Sequence, residues 1–192
     1  MLGVVLAGGE SRRMGRDKAF LEADGELLWK RQVGVLRDAG AARVVLVRRR
    51  GQDPVAYDDC RFDVFTGCGP LAGIHAALEI GGHPHVGVLA VDMPGIDAAW
   101  FGWLGGFCKA GVGAVARGDL ALEPLAAIYP AEALPEAALR LERGDLSVQE
   151  LALALAAEGR MSIVALPAGY AGRMESLNLP RACPSARRAC CS

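Results

Sequence analysis

At 192 residues, 52% of them hydrophobic, the chain is long enough to bury the core of one domain. Its 21 basic side chains nearly balance 22 acidic ones, and a formal net charge of −1 excludes a global electrostatic attraction to nucleic acid or to an anionic membrane. No apolar run approaches the ~20 residues of a membrane helix, the opening Leu2–Leu6 run is too short for a secretory signal, and the six cysteines lack CxxC spacing. The expectation is a cytoplasmic chain in a reducing compartment, with no membrane and no nucleic-acid partner.

Leu2–Leu6 is a short apolar run that predicts a buried strand. It opens onto Gly8 and Gly9, followed by Arg12, Arg13, Arg16 and Lys18. Apolar residues at Leu28, Val33, Val35, Leu36 and Ala39, with Gly40 after them, predict a helix over 27–39. Val44–Val47 reads as the next strand and Asp63–Phe65 as a short third one. A glycine-rich turn over 66–73 leads into a helix from Leu71 to about Ile80. Val86–Val91, continuous and apolar as in a strand covered on both faces, ends in Asp92-Met93-Pro94. Ala98–Lys109 reads as a helix; Gly113–Arg117 and Leu125–Tyr129 read as strands. Ser147 with Glu150 matches a capping box ahead of a helix over 148–158, and Ile163–Leu166 is a last strand. Strands alternating with helices imply βαβ crossovers, hence a single three-layer α/β/α domain with a mostly parallel, Rossmann-like sheet. The domain is expected to span 1–180. Residues 181–192 lack periodicity and read as a flexible C-terminal tail.

In an open parallel sheet, ligands bind beyond the carboxyl ends of the strands. Gly8 and Gly9 fall at such an end, where backbone N–H groups without a neighbouring Cβ can approach a phosphate. Arg12, Arg13, Arg16 and Lys18 then offset its charge. The spacing fits neither common phosphate loop: Gly9 and Gly15 are one residue too far apart for a P-loop, and Gly8-Gly9 does not supply G-x-G-x-x-G. Asp92, ending the most apolar strand, suits either a Mg²⁺ ligand or a cap for the next turn. Asp63 is either a nucleotide contact or a turn former. Asp17 is expected to orient Lys18 or Arg13 through a salt bridge. Arg48, Arg49 and Arg50 are expected to face either a phosphate or solvent, with solvent slightly favoured, and His75 to lie at the surface.

The run L-A-G-G-x-S-x-R-M-G-x-D-K-A-x-L, Leu6 to Leu21, resembles the signature of the nucleotidyltransferase family that includes molybdenum cofactor guanylyltransferase. Asp63-x-x-x-Gly67-x-Gly69-Pro70-Leu71-Ala72-Gly73-Ile74 looks like the family's second motif, and Val91-Asp92-Met93-Pro94 like its metal-binding strand end. Glu123 to Tyr129 is similar to its PLxALY segment. Ser176-Leu177-Asn178-Leu179-Pro180 stands where the family often has N-x-N-T-P, so that Ser176 and Leu179 remove two hydrogen-bonding groups. The resemblance implies a fold of the nucleotide-diphospho-sugar transferase type. It also implies transfer of GMP from GTP to molybdopterin, with Mg²⁺ as cofactor, pyrophosphate as leaving group, and cofactor-delivery or apoenzyme proteins as possible partners. It assigns catalysis to Lys18, Arg13 and Asp92, the metal to Asp92, and the nucleotide to Leu6, Ala7, Gly8, Gly9, Lys18, Asp63, Gly69, Pro70, Leu71 and Asp92. Asn178 and Ser176 fall on the acceptor side. Cobinamide phosphate as acceptor, CTP as donor and a non-catalytic nucleotide-binding role in cofactor delivery are the alternatives. Relatives that use CTP tend to read A-A-G where this chain has Ala7-Gly8-Gly9, which favours GTP.

Overall fold

The structure, a computed structural model, describes residues 1–8, 17–52, 55–65 and 67–174. The first strand, β1, is Leu2–Leu6, apolar throughout and fully inside. A single 3₁₀ turn, Lys18–Phe20, precedes a two-residue hairpin of β2 (Glu22–Ala23) and β3 (Glu26–Leu27). Helix α1, Leu28–Asp38, ends ahead of Gly40, whose φ of +82° is the left-handed conformation a side chain resists. Strand β4, Arg43–Arg48, follows. The third strand, β5, is Cys60–Phe62, three residues upstream of the expected Asp63–Phe65, because the parallel register on β4 sets Phe62 opposite Arg48. Helix α2 is Gly69–Leu78, β6 is His85–Ala90, α3 is Ala98–Gly105, β7 is Gly113–Arg117 and β8 is Ala126–Pro130.

Helix α4, Leu134–Arg143, has no counterpart among the expected elements; Pro135 in its first turn and Gly144 at φ +74° after its end define it. Helix α5 is Val148–Ala157, capped as expected by Ser147, whose hydroxyl accepts from the Glu150 amide at 3.2 Å. Strand β9 is Met161–Ala165, and a 3₁₀ turn spans Ala168–Arg173.

Seven strands form one sheet in the order β5-β4-β1-β6-β8-β7-β9. The sheet is parallel apart from β8, which runs against both β6 and β7. Alternate side chains divide between two cores. Leu2, Val4 and Leu6 pack with α2, α4 and α5; Val5 packs with α1 and α3 around Trp100. This is the expected three-layer α/β/α arrangement. Among the described residues no helix is long and apolar enough to cross a membrane. Trp100, completely buried, donates its indole N–H to the Ala126 carbonyl at 2.9 Å, which fixes α3 to the reversed strand β8.

The β7–β8 contact leaves no room for a side chain at Gly113. A Cβ there would stand 2.1 Å from the Ile128 carbonyl oxygen, which is backbone and cannot swing away. Gly113→Ala is therefore expected to destabilise the fold by about 3 kcal/mol, the upper range for overpacking. Thermal unfolding should show a drop of roughly 6–12 °C in Tm for a chain of this size.

Candidate active site

Because β4, β1 and β6 are parallel neighbours, their carboxyl ends open at one edge of the sheet. Leu6 lies in register with Val47 on one side and with Ala90 on the other. The residues just beyond these ends line a cavity of about 400 Å³. Gly8 follows β1, Arg49 follows β4, and Val91 and Asp92 follow β6. Asp63 enters after β5, Gly69 and Pro70 from the start of α2, and Leu125 ahead of β8.

Lys18 reaches this cavity from the 3₁₀ turn, and its Nζ lies 2.7 Å from Asp92 Oδ2. The turn that presents it is tied to the sheet. Asp17 accepts from the Ala19 amide at 2.9 Å, and the same carboxylate pairs with the Arg48 guanidinium. Gln52 donates to Asp17 at 3.1 Å and to the Ala7 carbonyl at 3.2 Å, while its own carbonyl accepts from the Arg49 amide at 2.8 Å. Arg48 is 1% exposed and stacks over the Phe20 ring. The arginine run therefore does not all face solvent: β4 carries Arg48 inward, because it needs the Asp17 carboxylate, and Arg49 falls on the cavity wall. Asp17 acts on Lys18 through the cap rather than through a direct salt bridge, and its other expected partner, Arg13, lies outside the described residues.

The segment after β6 is fastened as firmly. Gln32 of α1, completely buried, donates Nε2 to the Met93 carbonyl at 2.8 Å and to the Ala90 carbonyl at 3.4 Å. Arg31 donates to the Pro94 carbonyl at 3.2 Å. Asp97 caps α3 and receives the Tyr170 hydroxyl at 2.7 Å and the Arg173 guanidinium at 2.5 Å, which hold its carboxyl below the ordinary range against the opposing pull of burial. Across the cavity Asp63 is buried; its Oδ1 has no hydrogen-bond partner among the described residues. Burial pushes this carboxyl up, and the charges of Arg49 and Arg50 offset only part of that. Gly69, at φ +65°, starts α2 at the cavity wall, and no side chain of the preceding Cys68 caps the helix; Pro70 carries no N–H, so Gly69 supplies the first-turn amide among the lining residues. Among the described lining residues none is Ser, Thr, Cys, His or Tyr. Fixed cations and backbone donors on these walls are the groups that suit a polyanion.

The model of the MobA-like NTP transferase domain matches residues 3–158. The chain belongs to the MobA-like NTP transferase family. It is 52% identical over 184 residues to a probable molybdenum cofactor guanylyltransferase of Opitutus terrae, covering 94% of this chain and 91% of that one. Among solved structures it resembles the molybdopterin-guanine dinucleotide biosynthesis protein A of Archaeoglobus fulgidus, at TM-score 0.65 and 29% identity over 87% of this chain and 83% of that one. It also shares its fold with the 2-C-methyl-D-erythritol 4-phosphate cytidylyltransferase of Thermus thermophilus, at TM-score 0.67 and 21% identity, with 93% of each chain covered.

The family motifs converge on the cavity from distant parts of the chain. Of the residues singled out in the sequence, Leu6, Gly8, Lys18, Asp63, Gly69, Pro70 and Asp92 line it. Ala7 and Leu71 are buried beside it, and the Ala7 amide is already given to the Val47 carbonyl at 2.8 Å. Gly9, Arg13, Ser176 and Asn178 lie outside the described residues. In the PLxALY segment, the buried Tyr129 hydroxyl donates to the Pro124 carbonyl at 2.9 Å and braces the turn that brings Leu125 to the cavity. Glu123 is half-buried against Gly118, away from the lining, and burial raises its carboxyl. His75 is buried rather than at the surface, edge-on to Phe65 at 5.2 Å, because the face of α2 that carries it is covered. Arg49, Gln52 and Gln32 were not among the expected site residues. The signal for Gln32 is a lone amide in the apolar stripe Leu28, Trp29, Val33 and Leu36 of α1.

A carboxylate whose pKa is raised on folding opposes stability above its unfolded value and ceases to oppose it once protonated. Asp63→Asn should therefore raise the Tm of the nucleotide-free protein near neutral pH, by about 1 kcal/mol or roughly 2–4 °C. The gain should shrink as pH falls through the carboxylate range, where wild-type Asp63 becomes neutral too. Thermal unfolding of both proteins between pH 4 and pH 8, on the order of half-unit steps, checks the sign.

Proposed function

We propose that this chain transfers GMP from GTP to the terminal phosphate of molybdopterin, yielding the guanine dinucleotide form of the molybdenum cofactor and pyrophosphate. The observation that carries the reading is the Lys18–Asp92 pair, 2.7 Å apart on the wall of a strand-end cavity, in a chain whose relatives bear that activity in their names. An oxygen of the acceptor phosphate attacks the α-phosphorus; the bond to the oxygen bridging the α- and β-phosphates breaks, and pyrophosphate leaves with that electron pair. No protein atom needs to bond to phosphorus, so positioning and charge carry the rate. Lys18 offsets charge growing on the transferring and leaving phosphates. The start of α2 and the Gly8 backbone hold the nucleotide from the other side, and the resemblance of the first motif assigns Arg13 to the triphosphate.

A divalent cation fits this donor set. Asp92 is one partly exposed carboxylate, and among the described residues no cluster of three metal-ligating side chains exists. That pattern suits Mg²⁺, which takes one or two carboxylates and completes its shell with phosphate and water. Asp92 would hold it, and when bound it supplies Lewis-acid polarisation of the α-phosphate. Asp63 supports guanine as the base. Its carboxylate on the cavity wall is an acceptor, and the guanine edge offers ring N–H and amino donors together, whereas adenine and cytosine offer an amino group alone.

The test is product analysis with GTP, CTP or ATP and molybdopterin. GTP is expected to give dinucleotide and pyrophosphate at a kcat/KM at least about 10²-fold above the other two, the discrimination of a site that hydrogen-bonds its base. A CTP rate equal to or above the GTP rate would overturn the guanylyl assignment. Pyrophosphate release from GTP that ignores molybdopterin would overturn the acceptor.

A further inference from the structure

Helix α1 packs its inner face with Leu28, Trp29, Val33 and Leu36, and into that stripe the sequence inserts Gln32, completely buried. An apolar side chain of similar volume would satisfy the packing without leaving the buried Gln32 Oε1, which has no partner among the described residues. The amide therefore calls for an explanation other than the core.

Its donor end supplies one. After β6 the backbone makes two successive turns: the Met93 amide bonds the Ala90 carbonyl at 3.3 Å, and the Ile96 amide bonds the Met93 carbonyl at 3.2 Å. Asp92 sits inside the first turn. Gln32 Nε2 bridges that turn's two ends, 2.8 Å from the Met93 carbonyl and 3.4 Å from the Ala90 carbonyl. Both carbonyls already accept a backbone amide, so the side chain is not needed to satisfy them. What it adds is orientation: the 90–91 and 93–94 peptides, which bracket Asp92 at one residue's remove on either side, are held to one rigid helix. The neighbouring bond from Arg31 to the Pro94 carbonyl extends the same attachment by one residue.

We infer that Gln32 is a positioning residue for Asp92, holding the carboxylate at the cavity mouth in the orientation that a nucleotide-bound divalent cation requires. The inference rests on the reading of Asp92 as that cation's ligand. Groups that act through a ligand's surroundings rather than by direct contact commonly shift metal affinity by about 10- to 100-fold. Gln32 differs from them only in working through backbone carbonyls.

The test uses the full chain with Gln32→Leu and, in case the branched side chain packs badly, Gln32→Met, which follows the shape of glutamine without its donors. Each is saturated with a non-hydrolysable GTP analogue, and Mn²⁺ binding is measured by electron paramagnetic resonance. Nucleotide affinity in EDTA and thermal unfolding are measured in parallel. Both variants are expected to keep Tm and metal-free nucleotide affinity near wild type while binding Mn²⁺ about 10-fold more weakly. Mn²⁺ affinity within about twofold of wild type in either folded variant overturns the inference; so does a loss of metal-free nucleotide affinity as large as the loss of metal affinity, since the effect is then general. Asp92→Asn separates this from the underlying reading. If it abolishes Mn²⁺ binding while the Gln32 variants leave it intact, Gln32 alone fails. If it binds Mn²⁺ like wild type, the Asp92 reading fails and this inference with it.

Discussion

Two opposite charges 74 residues apart in sequence meet at the mouth of a buried parallel sheet. The Lys18–Asp92 pair is mostly withdrawn from water, with side chains 16% and 17% exposed, and the solvation both charges lose offsets much of their attraction. Stability does not account for it. Around the pair, however, the structure commits groups that are costly to bury. Arg48 is withdrawn from solvent to meet Asp17, and a buried charge left without its partner costs several kcal/mol. Gln32 brings an amide into an apolar helix face. Each of these ties the chain on one side or the other of the Lys18–Asp92 contact, so that its position depends on the sheet and the helices rather than on the two flexible side chains.

The parallel topology makes this economical in sequence. Strand ends β1, β4 and β6 point the same way, so short segments after each of them converge without long loops. The one reversed strand, β8, pairs with β6 and delivers Leu125 to the same cavity from the start of a strand instead of its end. The cavity then has two chemically different walls: a lysine and a carboxylate in contact on one, a buried acceptor and the start of α2 on the other.

Much of this was legible before any coordinates. The run Leu2–Leu6 and the run around Val88 read as strands because they are short, aliphatic and bounded by turn residues, as in a doubly covered sheet. The glycine stops and the Ser147 box mark helix ends by local hydrogen bonding. Lys18, Asp63 and Asp92, singled out from motif spacing, do come together on one cavity. The remainder depends on tertiary context. Strand β5 is set by its register on β4, not by its own pattern. Helix α4 was missed although Pro135 and Gly144 bracket it. Arg48 and His75 read as surface residues because charge and polarity usually mean exposure, and only the partner, Asp17 or Phe65, reverses that expectation. Gln32 is visible in the sequence as a break in an apolar stripe, but its use is visible only where the turn holding Asp92 is seen beside it.

The central claim is that Lys18 and Asp92 work as one unit on one phosphate group. A double-mutant cycle on guanylyl transfer tests it most directly, with Lys18→Ala, Asp92→Asn and the combined variant assayed for kcat at saturating nucleotide. Groups that act together are strongly non-additive. The double variant should therefore be about as slow as the slower single variant, each single costing on the order of 10²-fold. Losses that simply multiply, to about 10⁴-fold in the double variant, would contradict the account and make the 2.7 Å contact incidental to the chemistry.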